Sequence, residues 1–196
     1  MTAGVILAGG LARRMGGGDK ALRCVGGQSV LDRLIARLAP QVAFLAINAN
    51  GDPTRFAATG LPVIADGVPG HPGPLAGVLA GLDWAAGLGF AEVVTVPGDA
   101  PFLPHDLVVR LQQARRATAI ACAASGGRVH PVVALWPITL RVALRAALES
   151  GLRKVESFAA AQGLVTCEWP ADPIDPFFNV NTPEDLAEAD RLVARA

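Results

Sequence analysis

Short β-branched runs alternate with amphipathic stretches along almost the whole chain, and this alternation limits the possible folds more than any other feature. Gly4 to Ala8 reads as the first strand, followed by Val42 to Asn48, Leu61 to Ala65 and Glu92 to Val96. Thr118 to Ala123 and Val132 to Trp136 read as two more strands, paired around Gly126-Gly127, and Leu164 to Trp169 as a late one. The helical stretches lie between them. Ser29 to Leu38 puts Val30, Leu31, Leu34, Ile35 and Leu38 on one stripe. Asp52 to Ala58 reads as a short helix, and Pro74 opens one that runs to about Ala86. Pro104 suits a first helical position ahead of Leu107, Val108 and Leu111. Leu140 to Ala161 holds two helices broken near Gly151. Thr182 can cap a last helix, with Pro183 first, Asp185 third, and Leu186, Ala189 and Val193 on one face. Strands alternating with helices of this length imply βαβ units and a mostly parallel central sheet of the α/β class. A chain of 196 residues suits one domain, 1–196. It can bury roughly 70% of its unfolded surface without disulfides or a structural metal.

Charge narrows the function. Lys plus Arg is 17 and Asp plus Glu is 17, so the formal net charge is zero. That argues against a dedicated nucleic-acid partner, which favours a basic excess. No apolar run approaches the ~20 residues that span a bilayer, and Met1-Thr2 leads into the first strand without a basic signal region. The expectation is a cytoplasmic protein with no membrane contact. Cys24, Cys122 and Cys167 are far apart and in no Cys-x-x-Cys pair, which fits reduced thiols.

The first strand runs into Leu7-Ala8-Gly9-Gly10-Leu11-Ala12-Arg13-Arg14-Met15-Gly16-Gly17-Gly18-Asp19-Lys20. Five glycines in these fourteen residues let backbone approach a ligand without interference from Cβ atoms. Successive N–H groups in such a loop make an anion-binding hollow, and Arg13, Arg14 and Lys20 add positive charge suited to a triphosphate. Two common phosphate loops fail on spacing. A Walker A loop needs Gly-Lys followed by Ser or Thr, whereas Lys20 follows Asp19 and precedes Ala21. A dinucleotide loop needs Gly-x-Gly-x-x-Gly and an acid about 20 residues on. Gly9-Gly10-Leu11 breaks that spacing, and the second strand ends in Asn48-Ala49-Asn50.

The blocks Leu7-Ala8-Gly9-Gly10, Arg14-Met15-Gly16 and Asp19-Lys20 resemble the signature of the molybdopterin nucleotidyltransferases, and among them the molybdenum cofactor guanylyltransferases. The resemblance continues through Gly73-Pro74-Leu75-Ala76-Gly77, Pro97-Gly98-Asp99-Ala100-Pro101, His130-Pro131 and Asn179-Val180-Asn181-Thr182-Pro183, so it covers Gly4 to Leu186. It implies a single-domain, Rossmann-like, three-layer αβα nucleotidyltransferase fold. The implied reaction moves GMP from GTP to molybdenum-bearing molybdopterin and releases pyrophosphate. The acceptor molybdoenzyme or its chaperone would take the product.

The same resemblance implies the site. Leu7, Ala8, Gly9, Gly10, Lys20, Asn48, Asp66, Gly73, Gly77 and Asp99 would hold the nucleotide. Arg14, Lys20 and Asp99 would serve the chemistry, and Asp99 would hold Mg²⁺, a cation that takes few carboxylates and keeps waters and phosphate oxygens. Asn181 is a second residue near the metal, and its other role is to set the start of the last helix; Asn179 in the same block is a further site residue. His130 is assigned to the pterin side, while His71 and His105 are read as structural. Asn48 offers a donor and an acceptor to a base or ribose, and Asp66-Gly67 is equally a turn signal. Arg115-Arg116 and Arg153-Lys154 read first as solvated charges, the second pair also as a contact for an anionic substrate. Two departures are Ala12, often Ser in relatives, and the small Ala100. The alternatives are a cytidylyltransferase for the same cofactor, which typically carries Leu-Ala-Ala-Gly, another small-molecule nucleotidyltransferase, and a non-catalytic nucleotide-binding regulator.

Overall fold

The computed structural model describes residues 1–9, 19–68, 73–115 and 119–195. Seven strands form one sheet: β1 (Ala3–Leu7), β4 (Phe44–Asn48), β5 (Val63–Ile64), β6 (Glu92–Pro97), β7 (Ile120–Ser125), β8 (Arg128–Pro137) and β9 (Leu164–Trp169). Their order is β5-β4-β1-β6-β8-β7-β9. β4 and β6 flank β1 in parallel, and β5 and β9 are also parallel to their neighbours. β8 alone runs antiparallel, between β6 and β7. The sheet is therefore mostly parallel, as the alternation predicts. It is a Rossmann-like sheet whose order reverses beside β1.

Each buried strand alternates between two cores, which makes three layers. On one face lie Ile6, Val94, Val96, Ala121, Ala123 and Leu135. They pack against α1 (Val30–Leu38), α3 (Leu107–Ala114) and α6 (Pro183–Val193). On the other face lie Ala3, Val5, Val93, Cys122, Ala134 and Trp136. These meet α2 (Pro74–Gly87), α4 (Arg141–Glu149) and α5 (Val155–Gln162). α2 is apolar nearly all round because it is buried both by the sheet and by its neighbours.

The structure moves several element boundaries. The reading of Pro104 as a first helical position is wrong: α3 starts at Leu107, after a turn. A hairpin of β2 (Cys24–Val25) and β3 (Gln28–Ser29), turning at Gly26-Gly27, precedes α1 and is not visible as an apolar pattern. Its partner is α6, since the Gly26 N–H donates to Asp190 Oδ1 at 2.7 Å. Ser29 caps α1, accepting from the Asp32 N–H at 3.0 Å. Thr182 and Asp185 form the expected capping box on α6. All three cysteines are free, and burial pushes the Cys122 thiol up to about 12, which makes it inert at neutral pH. Among the described residues, no helix is long and apolar enough to cross a membrane.

Candidate active site

Ligands of open α/β sheets bind beyond the carboxyl ends of the strands, where strand order reverses. Here that point lies between β1 and β6, which are neighbours in the sheet but are separated in the chain by β4 and β5. A cavity there is lined by Leu7, Ala8, Lys20, Ala21, Pro97, Gly98 and Asp99. Backbone bonds fix its floor. The Ala8 N–H donates to Asn48 O at 2.8 Å, and the Gly98 N–H donates to Leu7 O at 2.9 Å. Position 98 favours glycine, because an added Cβ would lie 3.0 Å from both Ala8 Cα and Leu7 O, and both are backbone atoms that would have to shift. Ala100, next along, is fully buried among Phe102 and Leu103, so its small size is a packing requirement.

Lys20 and Asp99 share this cavity. The Lys20 ammonium donates to Asn181 Oδ1 at 2.7 Å and stands 3.9 Å from Asp99 Oδ2. The lysine tip is therefore held by the amide, with the carboxylate in Coulombic reach. Asp99 Oδ1 is buried with no hydrogen-bond partner. Burial raises the Asp99 carboxyl above the usual carboxylate range; nearby Lys20 lowers it in part, and Asp185 adds a smaller upward push. An orphaned carboxylate oxygen at a cavity wall is what a hard divalent cation can satisfy. The described residues contain no cluster of three or more His, Cys, Asp or Glu side chains able to hold a metal on their own. The fit is therefore to a cation that shares its shell with waters and ligand oxygens.

Asn181 takes the helix-entry role and also reaches Lys20 at the cavity. Its side chain holds Lys20, while its own N–H and that of Thr182 donate to Asp185 Oδ2, each at 2.9 Å. The start of α6 thus orients the lysine. The Val180 N–H donates to Asp99 O at 2.8 Å, which ties the same segment to the metal candidate. Asn179 is part-buried one residue earlier.

On the β4 side, Asn48, Asn50 and Asp66 form one unit. Asn48 Nδ2 donates to Ile64 O at 3.2 Å and to Asp66 Oδ1 at 2.9 Å. Asn50 Nδ2 donates to Asp66 Oδ2 at 2.8 Å, and Asn50 Oδ1 accepts from the Asp66 N–H at 2.9 Å. Both amide hydrogens of Asn48 are used within this unit, and they position Asp66. Gly77 makes this possible, because a side chain there would run into Asn48 Oδ1. Gly77 is thus a packing residue beneath the amide, whereas Gly73 caps α2 at φ 87°, a conformation L residues rarely adopt. Gly9 is exposed beside the cavity. Gly10, Arg13, Arg14, Met15 and Gly16, and also His71 and Arg116, lie outside the described residues.

His130 stands apart from the cavity. Its Nε2 is 2.8 Å from Ser125 Oγ, which donates to Asp175 Oδ1 at 2.7 Å. The hydroxyl has one hydrogen and gives it to the carboxylate, so Nε2 must be the donor to Oγ. Burial lowers the His130 pKa, with Asp175 raising it in part. The segment from Asp175 to Asn181 connects this group to the Lys20–Asp99 centre. Ser125, Asp175, Asn50 and Arg55 all escape the sequence reading; only the Asn-x-Asn repeat at a strand end, which puts two amides on one side, offers a usable signal. Arg115 and Arg153 both have partners within the protein. Arg115 is not a solvated charge: it pairs at 2.8 Å with Glu92, which is only 7% exposed. Arg153 Nη1 donates to Leu148 O and Leu152 O, beside the end of α4.

A glycine loop after β1, a lysine and an unpartnered carboxylate at the switch point define a nucleotide-handling α/β enzyme. A family model described as the MobA-like NTP transferase domain matches residues 4–163, and the chain belongs to that family. A molybdenum cofactor guanylyltransferase of Rhodopseudomonas palustris (strain BisB5) is 61% identical over 199 aligned positions, covering 99% of this chain and 95% of that protein. One from Bradyrhizobium sp. (strain ORS 278) is 58% identical over 196, covering 97% and 92%. Among solved structures, molybdopterin-guanine dinucleotide biosynthesis protein A from Archaeoglobus fulgidus superposes with a TM-score of 0.76 over 100% of both chains at 21% identity. A 2-C-methyl-D-erythritol 4-phosphate cytidylyltransferase from Thermus thermophilus gives 0.70 over 100% of both at 23%. These structures share the fold, and the fold therefore serves more than one base.

Proposed function

We propose that the chain transfers GMP from GTP to the phosphate of molybdenum-molybdopterin, forming the guanine dinucleotide cofactor and pyrophosphate. The observation that carries this reading is the shared cavity of Lys20 and Asp99, with its buried, unpartnered Oδ1. The near full-length relatives named for guanylyl transfer support it. An acceptor phosphate oxygen attacks the α-phosphorus, the bond to the bridging oxygen breaks, and its electrons leave with pyrophosphate. The nucleophile is already an anion, so no general base is required. Positioning and charge neutralisation dominate. Lys20, with Arg14 and the amides of the glycine loop from Leu7 to Gly10, would hold the β and γ phosphates. Mg²⁺, held by Asp99, would neutralise charge at the α-phosphate.

The base assignment has a chemical argument. Asp66 is pinned by two amides, and a carboxylate accepts from the adjacent N1–H and N2–H donors of guanine. Cytosine has an acceptor at the matching ring nitrogen. His130 is assigned to the pterin side, where the Ser125–Asp175 pair would fix its ring, and Asn179 is kept as a further site residue. Residues 1–196 would work as one unit in the cytoplasm and pass the product to a molybdoenzyme or its chaperone. The test is pyrophosphate release with molybdopterin, Mg²⁺ and either GTP or CTP. Release with GTP is expected. Faster release with CTP would overturn the base, and no release with either would overturn the reaction.

A further inference from the structure

Arg55 does not line the nucleotide cavity, yet its guanidinium is among the most heavily used groups near it. It lies in the 3₁₀ segment Pro53–Thr59 after β4. Nη1 donates to Asp52 O at 2.8 Å and Nη2 to Asn50 O at 2.7 Å. The plane stacks 4.7 Å above the ring of Phe56, which is buried. The third nitrogen, Nε, is 2.7 Å from Asp19 Oδ2. That contact is a close charge pair and not an aligned hydrogen bond, since Nε has no hydrogen-bond partner. A planar fork held on two carbonyls and an aromatic face is a rigid anchor, which a lysine could not reproduce.

What it anchors is the residue before Lys20. Asp19 precedes the short 3₁₀ turn Lys20–Leu22, where an aspartate would ordinarily accept from the N–H groups of the first turn. Its side chain makes no such bond. The carboxylate is instead turned to Arg55 and is largely buried. We infer that Arg55, through Asp19, is a positioning residue for Lys20. It fixes the backbone at the root of the lysine while Asn181 fixes the tip. The inference rests on the reading of Lys20 as a triphosphate contact. A lysine held at both ends meets the phosphates without first being ordered, and that is a gain in affinity for triphosphate. Arg55 also holds the carbonyl of Asn50, whose amide holds Asp66, so an effect through the base side is the competing outcome.

The test is calorimetric titration of GTP and of guanosine into the wild-type protein, Arg55→Ala, Asp19→Asn, Lys20→Ala and the Arg55→Ala/Lys20→Ala double variant, with the melting temperature of each. Arg55→Ala and Asp19→Asn should each weaken GTP about tenfold, the scale of one lost bond to a charged group. Guanosine should change by less than about twofold, since it has no phosphate for Lys20 to meet. In the Lys20→Ala background, Arg55→Ala should add little, because the group it acts through is gone. Asp19→Asn keeps the shape of the side chain and guards against a folding defect. Equal weakening of GTP and guanosine would overturn the inference in favour of the base side. A full additional loss in the double variant would also overturn it. Wild-type protein that fails to bind GTP would instead refute the nucleotide reading itself.

Discussion

At the scale of single residues, Asp99 shows a conflict between stability and function. Its carboxyl is raised by burial, so the folded state prefers the neutral acid. The stability this contributes is fully present below the ordinary carboxylate pKa of about 3.9 and is lost as pH rises through the raised folded value. At neutral pH the ionised group therefore costs stability, and Lys20 at 3.9 Å offsets only part of that cost. Asp99→Asn should melt higher than the wild type in metal-free buffer at pH 7–8, while losing Mg²⁺-dependent turnover. Thermal melts with and without Mg²⁺ test this. A lower melting temperature for the variant would mean that the Lys20 attraction outweighs burial. The position of Asp99 after a strand was legible in the sequence. The orphaned oxygen was not, because it depends on which N–H groups the tertiary structure fails to bring near.

At the scale of elements, the start of α6 acts both as a helix cap and as a lever on the site. Thr182 Oγ1 accepts from the Asp185 N–H, and Asp185 Oδ2 accepts from Thr182 and also from Asn181. These two residues should separate in mutants. Thr182→Ala should cost about 1 kcal/mol of stability, the ordinary value of a cap, with little change in turnover. Asp185→Ala should cost a similar amount and also lower kcat/KM, because Asn181 loses the bond that orients it toward Lys20. Denaturant melts together with steady-state kinetics distinguish the two, and equal kinetic effects would remove the lever. The capping box was readable because it is local, four residues long and chemically specific. The β2–β3 hairpin was missed because its strands have two residues each and bury too little to leave an apolar pattern. The error at Pro104 has a similar origin: proline permits a helix start but does not force one.

At the scale of the whole molecule, the αβα class and the loop are legible in the sequence, but the strand order is not. Antiparallel β8 between β6 and β7 reflects a choice among sheet edges that no local pattern encodes. The Ser125–Asp175 and Arg55–Asp19 contacts were hidden for the same reason, since their partners are far apart in sequence. Because the cavity sits between β1 and β6, a nucleotide bound there would touch both halves of the sheet and should stabilise the fold globally. Mg²⁺ with GTP at 100 times its dissociation constant should add about 2.7 kcal/mol. For a chain of this size that is a rise of roughly 5–10 °C in Tm. A thermal-shift titration reads it directly, and Lys20→Ala should abolish most of the rise. The bond from Lys20 to Asn181 closes over 161 residues of chain. On a translating ribosome Lys20 is therefore made well before the amide that holds its tip. Until Asn181 is added, the nascent chain carries the lysine without the partner that orders its ammonium.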